Sequence, residues 1–208
     1  MKNLQKEYLR VLKLFDKVGI EFLSGNKYKK DREWWLIGSM FKLLRANDKY
    51  CDAYALSQES PDFNIKTVMQ ESEFNIEVCE VLHPGRKRGA EEKKEFDDGF
   101  WIKNVEDRKI DIWKTLKSGL QNKLRKDYGN NCWLLIYHNI PMRHISNMGF
   151  WANLVCANIK EWIADKSLDL QNCKFENIFI INSGADKLIT IYPEFSIVYS
   201  EDEQYFYC

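Results

Sequence analysis

The sequence carries no surplus of charge of either sign: 31 lysines and arginines balance 31 aspartates and glutamates over 208 residues. A protein that coats a polyanion is normally basic, so bulk charge gives no support for that class, although a local basic cleft stays compatible with neutrality. Proline (4) and glycine (10) are scarce and 45% of residues are hydrophobic, which excludes collagen, mucin-like stalks and a mainly disordered chain. Long apolar runs are missing as well. The longest, Trp34 to Leu44, is interrupted by Lys42 and is too short to span a bilayer. The N-terminus leads into a charged helical pattern rather than a signal peptide, so a cytoplasmic protein with no membrane partner is expected.

Metal and nucleotide signatures are sparse too. The cysteines at 51, 79, 132, 156, 173 and 208 form no Cys-x-x-Cys pair, and the histidines at 83, 138 and 144 do not group with them. That spacing argues against a disulfide framework or a structural zinc and for reduced core cysteines. No glycine-rich phosphate loop and no dinucleotide fingerprint occurs, which disfavours nucleotide-driven chemistry.

What is present is a chain of one domain's length with elaborations, long enough to bury roughly 70% of its unfolded surface without staples. Helical recurrence of apolar residues from Leu4 to Ile20, a break at Gly25-Asn26 and a second apolar face over Trp34 to Leu44 predict two helices. Tyr54 to Leu56, Phe63 to Met69 and Phe74 to Leu82 read as three strands of an antiparallel meander. A charged loop over 83–108 follows, then a helix over Ile110 to Lys126, a buried strand at Cys132 to Tyr137 and a helix from Phe150 to Ile163. Strands at Phe175 to Ile181, Leu188 to Tyr192 and Phe195 to Tyr199 close the chain. The helix between the third and fourth strands is a crossover that lets those two pair in parallel. The expected fold class is α/β with a mixed sheet.

The chemically informative stretch is Pro61-Asp62-Phe63, followed by Ile76-Glu77-Val78-Cys79-Glu80. Alternation along the third strand puts Phe74, Ile76 and Val78 on one face and Glu77 and Cys79 on the other. A carboxylate between Ile76 and Val78 in a central strand needs a partner. Magnesium accepts one or two carboxylates, often a carbonyl, and keeps waters, so Asp62, Glu77 and the Val78 main-chain carbonyl are a candidate half-shell, with manganese as a substitute. The plainer alternative is that Asp62 caps a turn after proline and Glu77 pairs with a basic side chain. On the next helix, advancing about 100° per residue from Leu116 puts Trp113, Leu120 and Leu124 on one stripe. Lys123 borders that stripe, whereas Arg125 and Lys126 point away. Such a lysine either snorkels or reaches the carboxylates, where it can hold a water or steady a pentavalent phosphate.

Pro61-Asp62 followed by Glu77-x-Cys79 resembles the PD-(D/E)xK nuclease superfamily, the restriction-endonuclease-like fold, and so does the order helix, three strands, helix, strand. Cys79 stands where that motif has lysine. Leu120-x-x-Lys123-x-x-Lys126-x-Tyr128 running into Trp133-Leu-Leu-Ile-Tyr137 resembles the branches in which the lysine has migrated to the following helix. The resemblance covers roughly residues 30–140. It implies one domain with an N-terminal helical extension (1–30), a core (31–140, αβββαβ) and a C-terminal helix and strands (141–208) suited to specificity or a dimer contact. It also implies a magnesium-dependent endonuclease acting on DNA, with RNA open, in which Asp62 and Glu77 hold the metal and Lys123 acts on water or phosphate. The alternative from another class is a nuclease-like scaffold that no longer cuts and serves as a nucleic-acid-binding or protein-interaction module. Cys79 and the neutral charge favour it.

Arg86, Lys87 and Arg88 form a basic loop suited to phosphate contact or merely solvated, and Lys126 is a further candidate for substrate. Glu80 should face away from Glu77, Glu59 precedes the strand, and Glu33 at the start of a helix is favourable to the dipole there. The seven tryptophans fit core packing better than base stacking. Cys79 with His83 is a weak candidate for thiol catalysis.

Overall fold

The structure is a computed structural model, described over residues 1–22, 27–45, 53–68, 71–81, 112–138, 148–182 and 184–199. The chain runs β1 (Lys2–Asn3), α1 (Leu4–Val18), a 3-10 turn (Gly19–Phe22), α2 (Lys29–Arg45), β2 (Ala53–Ser57), β3 (Phe63–Thr67) and β4 (Glu73–Val81). It continues through α3 (Ile112–Leu124), β5 (Cys132–His138), α4 (Met148–Ala164), β6 (Phe175–Asn182), β7 (Lys187–Tyr192) and β8 (Ser196–Tyr199). This is an α/β protein with an open mixed sheet of eight strands in sequence order. The β4–β5 and β5–β6 pairs are parallel and all other neighbours antiparallel. Among the described residues no helix is long and apolar enough to cross a membrane.

Burial explains why these segments take these forms. Parallel strands need helical crossovers; the two crossovers, α3 and α4, cover one sheet face and α1 and α2 cover the other, so the central strands read as unbroken apolar runs. All seven residues of β5 are buried. Phe74, Ile76, Trp133, Leu135, Tyr137, Phe179 and Ile181 join α1 and α2 in one core layer. Val81, Leu134, Ile136, Ile178 and Ile180 join α3 and α4 in the other. Alternation along β4 therefore sends Glu77 and Cys79 toward α3 and Val78 toward α2, as the sequence pattern requires.

Three features lie outside the sequence-based expectation. The two residues of β1 pair with β2 (Lys2 with Ala55, Asn3 with Tyr54), and Asn3 caps α1 by accepting from the Lys6 amide at 3.0 Å. The N-terminal helical segment is thus joined to the sheet edge, a link too short to leave a periodic signal. Helix α3 ends at Leu124, two residues before the expected Lys126, while its expected start at Ile110 lies outside the described residues. Its packing on β4 is unusually close: a Cβ at Gly119 would stand 2.7 Å from Val81 Cγ2. That contact lets α3 lie flat on β4, so that Lys123, one turn beyond Gly119, comes over Glu77.

Candidate active site

Strands β3 and β4 pair only over Phe63–Lys66 against Glu73–Ile76, then part company. From Glu77 to Val81, β4 bonds to β5 alone among the described strands. Continuing the β3–β4 register by one step sets Asp62 opposite Glu77, on the same sheet face. Asp62 Oδ2 accepts a hydrogen bond from the Val78 amide at 2.9 Å. A strand residue presents its N–H and C=O to the same edge, so the Val78 carbonyl faces this gap as well. Adjoining the gap at Val78 is a notch of about 170 Å³ lined by residues of α2 (Lys29, Arg32, Glu33), by Val78, Cys79 and Glu80 of β4 and by Lys123, whereas Asp62 and Glu77 themselves lie outside its lining.

Lys123 spans from α3 to the strand. Its Nζ lies 2.6 Å from Glu77 Oε1 and 3.2 Å from the Tyr128 hydroxyl. Both members of the ion pair are largely shielded, with 17% of the lysine side chain and 10% of the glutamate side chain exposed. Burial alone pulls the Lys123 ammonium toward neutrality, but the hydrogen bonds to Glu77 and Tyr128 outweigh it, so its pKa rises and the lysine stays charged. Burial pushes the Asp62 carboxyl up to about 6, and the nearby charges of Glu77 and Glu33 add to that, against the pull of the Val78 amide and Lys30. Asp62 thus sits in a field of acids that a cation would relieve.

The sequence-predicted residues fall into three groups. Asp62, Glu77, Val78 and Lys123 come together as one constellation. Lys126 lies on the surface just beyond α3, its amide bonded to the Lys123 carbonyl at 3.1 Å. Arg86, Lys87 and Arg88 lie outside the described residues, as does His83. Cys79 lines the notch, but burial raises its thiol pKa, only partly countered by the Lys123 charge, so it is no ready thiolate. Five tryptophans, 34, 35, 133, 151 and 162, are buried in the core layers, as packing predicted.

Two acids gain importance. Glu33, which is 7% exposed, points into the notch and contributes to the Asp62 field, with Lys30 Nζ 2.8 Å from its Oε2 and Lys29 Nζ 3.6 Å from its Oε1. The helix-dipole reading missed this, although Glu33 directly precedes the apolar run Trp34-Trp35-Leu36-Ile37, a helix buried on nearly every side. Glu80 does face away from Glu77, yet it still lines the notch, because β4 has no β3 neighbour there and both of its faces border the opening. Tyr128, to which the sequence motif assigns no role, touches Lys123 through its hydroxyl.

Magnesium fits this donor set: two hard carboxylates and a carbonyl at an open strand edge, with waters completing the shell. Among the described residues no group of three or more histidine, cysteine, aspartate or glutamate side chains gathers as a metal cluster. The ion pair satisfies the plainer sequence alternative too, since Glu77 does pair with a basic side chain. No protein-family model, curated protein or solved structure matches this chain. What the structure establishes is therefore the α/β architecture, with a notch of mixed charge at the open edge of β4.

Proposed function

We propose that this protein is a metal-dependent nuclease of the restriction-endonuclease-like type, hydrolysing phosphodiester bonds in DNA. One observation carries the reading. Lys123 reaches across from α3 to within 2.6 Å of Glu77, the acid that stands opposite Asp62 where β3 and β4 part. The pair sits at an open strand edge beside a second carboxylate whose pKa burial pushes up to about 6, and this juxtaposition of two acids and a lysine is what favours chemistry over packing alone.

Asp62 and Glu77, with the Val78 carbonyl, would hold magnesium or manganese. The ion supplies Lewis-acid polarisation of the phosphate and a water of lowered pKa. The chain's own groups do the rest. Lys123, kept charged by Glu77 and Tyr128, donates to a non-bridging phosphate oxygen as negative charge builds up there. Lys126 and the basic run Arg86, Lys87 and Arg88 supply phosphate contacts that position the substrate without reading sequence.

The test is a plasmid-nicking assay with magnesium or manganese, with single-stranded DNA and RNA as further arms, run beside Asp62→Ala and Glu77→Ala. Metal-dependent cutting lost in both variants supports the reading; a folded protein that cuts none of these substrates sinks it. Cys79 in place of the motif lysine favours a second reading, a nuclease-like scaffold that binds nucleic acid or protein without cutting. Calorimetric titration with manganese separates the two, because a binding-only scaffold has no need of metal.

A further inference from the structure

Tyr128 lies five residues beyond Lys123, outside α3, in a segment fixed at several points. The Gly129 amide donates to Asp127 Oδ1 at 2.9 Å, with Gly129 at φ 81°, a conformation that favours glycine. Asp127 pairs with Lys174. The Asn131 carbonyl accepts from the Asn75 amide at 2.8 Å, tying the segment to β4 two residues before Glu77. The Tyr128 ring packs against Phe175, ring centroids 5.5 Å apart, at the border of the α3–α4 core.

From this fixed seat Tyr128 engages the lysine of the ion pair. Its hydroxyl oxygen accepts from Lys123 Nζ at 3.2 Å, and its ring centroid stands 5.6 Å from the same ammonium. Lys123 is thus held between Glu77 on the strand and Tyr128 on the turn. An ammonium has three N–H donors. Two are taken by Glu77 and Tyr128, and the third belongs to a side chain that lines the notch. A lysine on a four-carbon stem has many rotamers. With Glu77 as its sole partner it would swing about that one contact, whereas two anchors in fixed directions leave its third donor one direction.

We propose that Tyr128 is the positioning residue of this site: its hydroxyl fixes the orientation of Lys123 over Glu77 so that the remaining N–H of the ammonium addresses a phosphate oxygen in the notch. The inference rests on the nuclease reading for the identity of what is addressed, but the orientation itself does not.

Tyr128→Phe isolates the hydroxyl, because the ring and its packing on Phe175 are kept. In metal-dependent cutting at fixed pH, kcat should fall about 10- to 100-fold, the effect of one hydrogen bond to a charged group, with KM within about two-fold of the parent. Combined with Lys123→Ala, it should produce no further loss, since it acts through that lysine. An unchanged kcat, or a loss that multiplies that of Lys123→Ala, overturns the proposal. If the parent protein cuts nothing, the nuclease reading fails and the orientation is judged by amine labelling. Lys123 acetylation by acetic anhydride, followed by peptide mass spectrometry, should then run at least about five-fold faster in Tyr128→Phe, as a released lysine swings outward. Equal labelling rates overturn the inference independently of any activity.

Discussion

The Asp62 carboxylate accepts the Val78 amide at 2.9 Å across the point where β3 leaves β4, so a side chain completes the ladder at the place where the backbone abandons it. The N–H of a strand edge must be paired somewhere. Here the partner is an acid that burial pushes up to about 6. The same contact that finishes the strand therefore holds a carboxylate of raised pKa at the open edge of β4, beside Glu77.

That raised pKa predicts a gain in stability on losing the charge. Asp62 has its pKa raised from 3.8 to about 6 on folding, so its favourable contribution is present below pH 3.8 and is lost as pH rises through 6. Asp62→Asn keeps an acceptor for the Val78 amide. It should raise stability at pH 8 by about 1 kcal/mol, a value reduced for solvent screening of a part-exposed group, and by nothing near pH 3. Urea unfolding at the two pH values in the presence of a chelator checks this. A loss at pH 8 would mean that the Val78 bond outweighs burial. The same titration makes metal affinity fall as pH drops below about 6, where proton and cation compete for Asp62.

The ion pair gives an opposite result. Lys123→Met leaves Glu77 shielded without its cation and should cost about 1–3 kcal/mol, most of which returns in the double variant with Glu77→Gln. A coupling energy near zero in that cycle would show that the 2.6 Å contact is energetically idle. Manganese should stabilise Lys123→Met more than the parent protein, because the lysine no longer competes with the metal for Glu77. A thermal shift assay with and without the metal reads this directly.

Local chemistry made the sheet legible in the sequence, and tertiary geometry hid the rest. Alternation through Phe74, Ile76 and Val78 gives the two faces of β4, and the apolar run Cys132 to Tyr137 gives a strand covered on both sides. The acid at 77 is readable because a carboxylate between Ile76 and Val78 in a central strand needs a partner, and Lys123 supplies one. The β1–β2 pairing is not readable, since two residues carry no period. Neither is the role of Glu33, which depends on α2 lying across the end of β4, nor that of Tyr128, whose hydroxyl meets Lys123 through a turn. The position of Lys123 on α3 follows from its helical angle, but its reach to Glu77 depends on how closely the helix lies on the sheet.

That closeness is testable at Gly119. An added Cβ would meet Val81 Cγ2 at 2.7 Å, too near for two carbons, so Gly119→Ala should push α3 off β4 and cost about 1–3 kcal/mol despite alanine's better helix propensity. Moving the helix also withdraws Lys123 from Glu77, so cutting should fall by more than stability alone accounts for. Val81→Ala in the Gly119→Ala background removes the clashing methyl and should restore both. If Gly119→Ala is instead more stable than the parent, propensity outweighs the contact and the helix is free to shift.

His138 is expected to make the fold sensitive to acid. It ends β5, 1% exposed, between Trp113 (ring centroids 6.5 Å apart) and Trp151 (6.2 Å), and its Nδ1 accepts from Trp151 Nε1 at 3.1 Å. Burial lowers its pKa from 6.5 to about 4, so the folded protein holds the ring neutral while the unfolded chain takes up a proton. Its contribution to stability is therefore complete above pH 6.5 and drains away as pH falls toward 4, about 3 kcal/mol across that window. His138→Gln preserves an acceptor for the Trp151 indole without a titrating ring. It should flatten the stability profile between pH 6.5 and 4 relative to the parent, measured by urea unfolding at half-unit steps. A variant whose profile falls as steeply as the parent's would assign the acid sensitivity to other groups and leave His138 a packing residue.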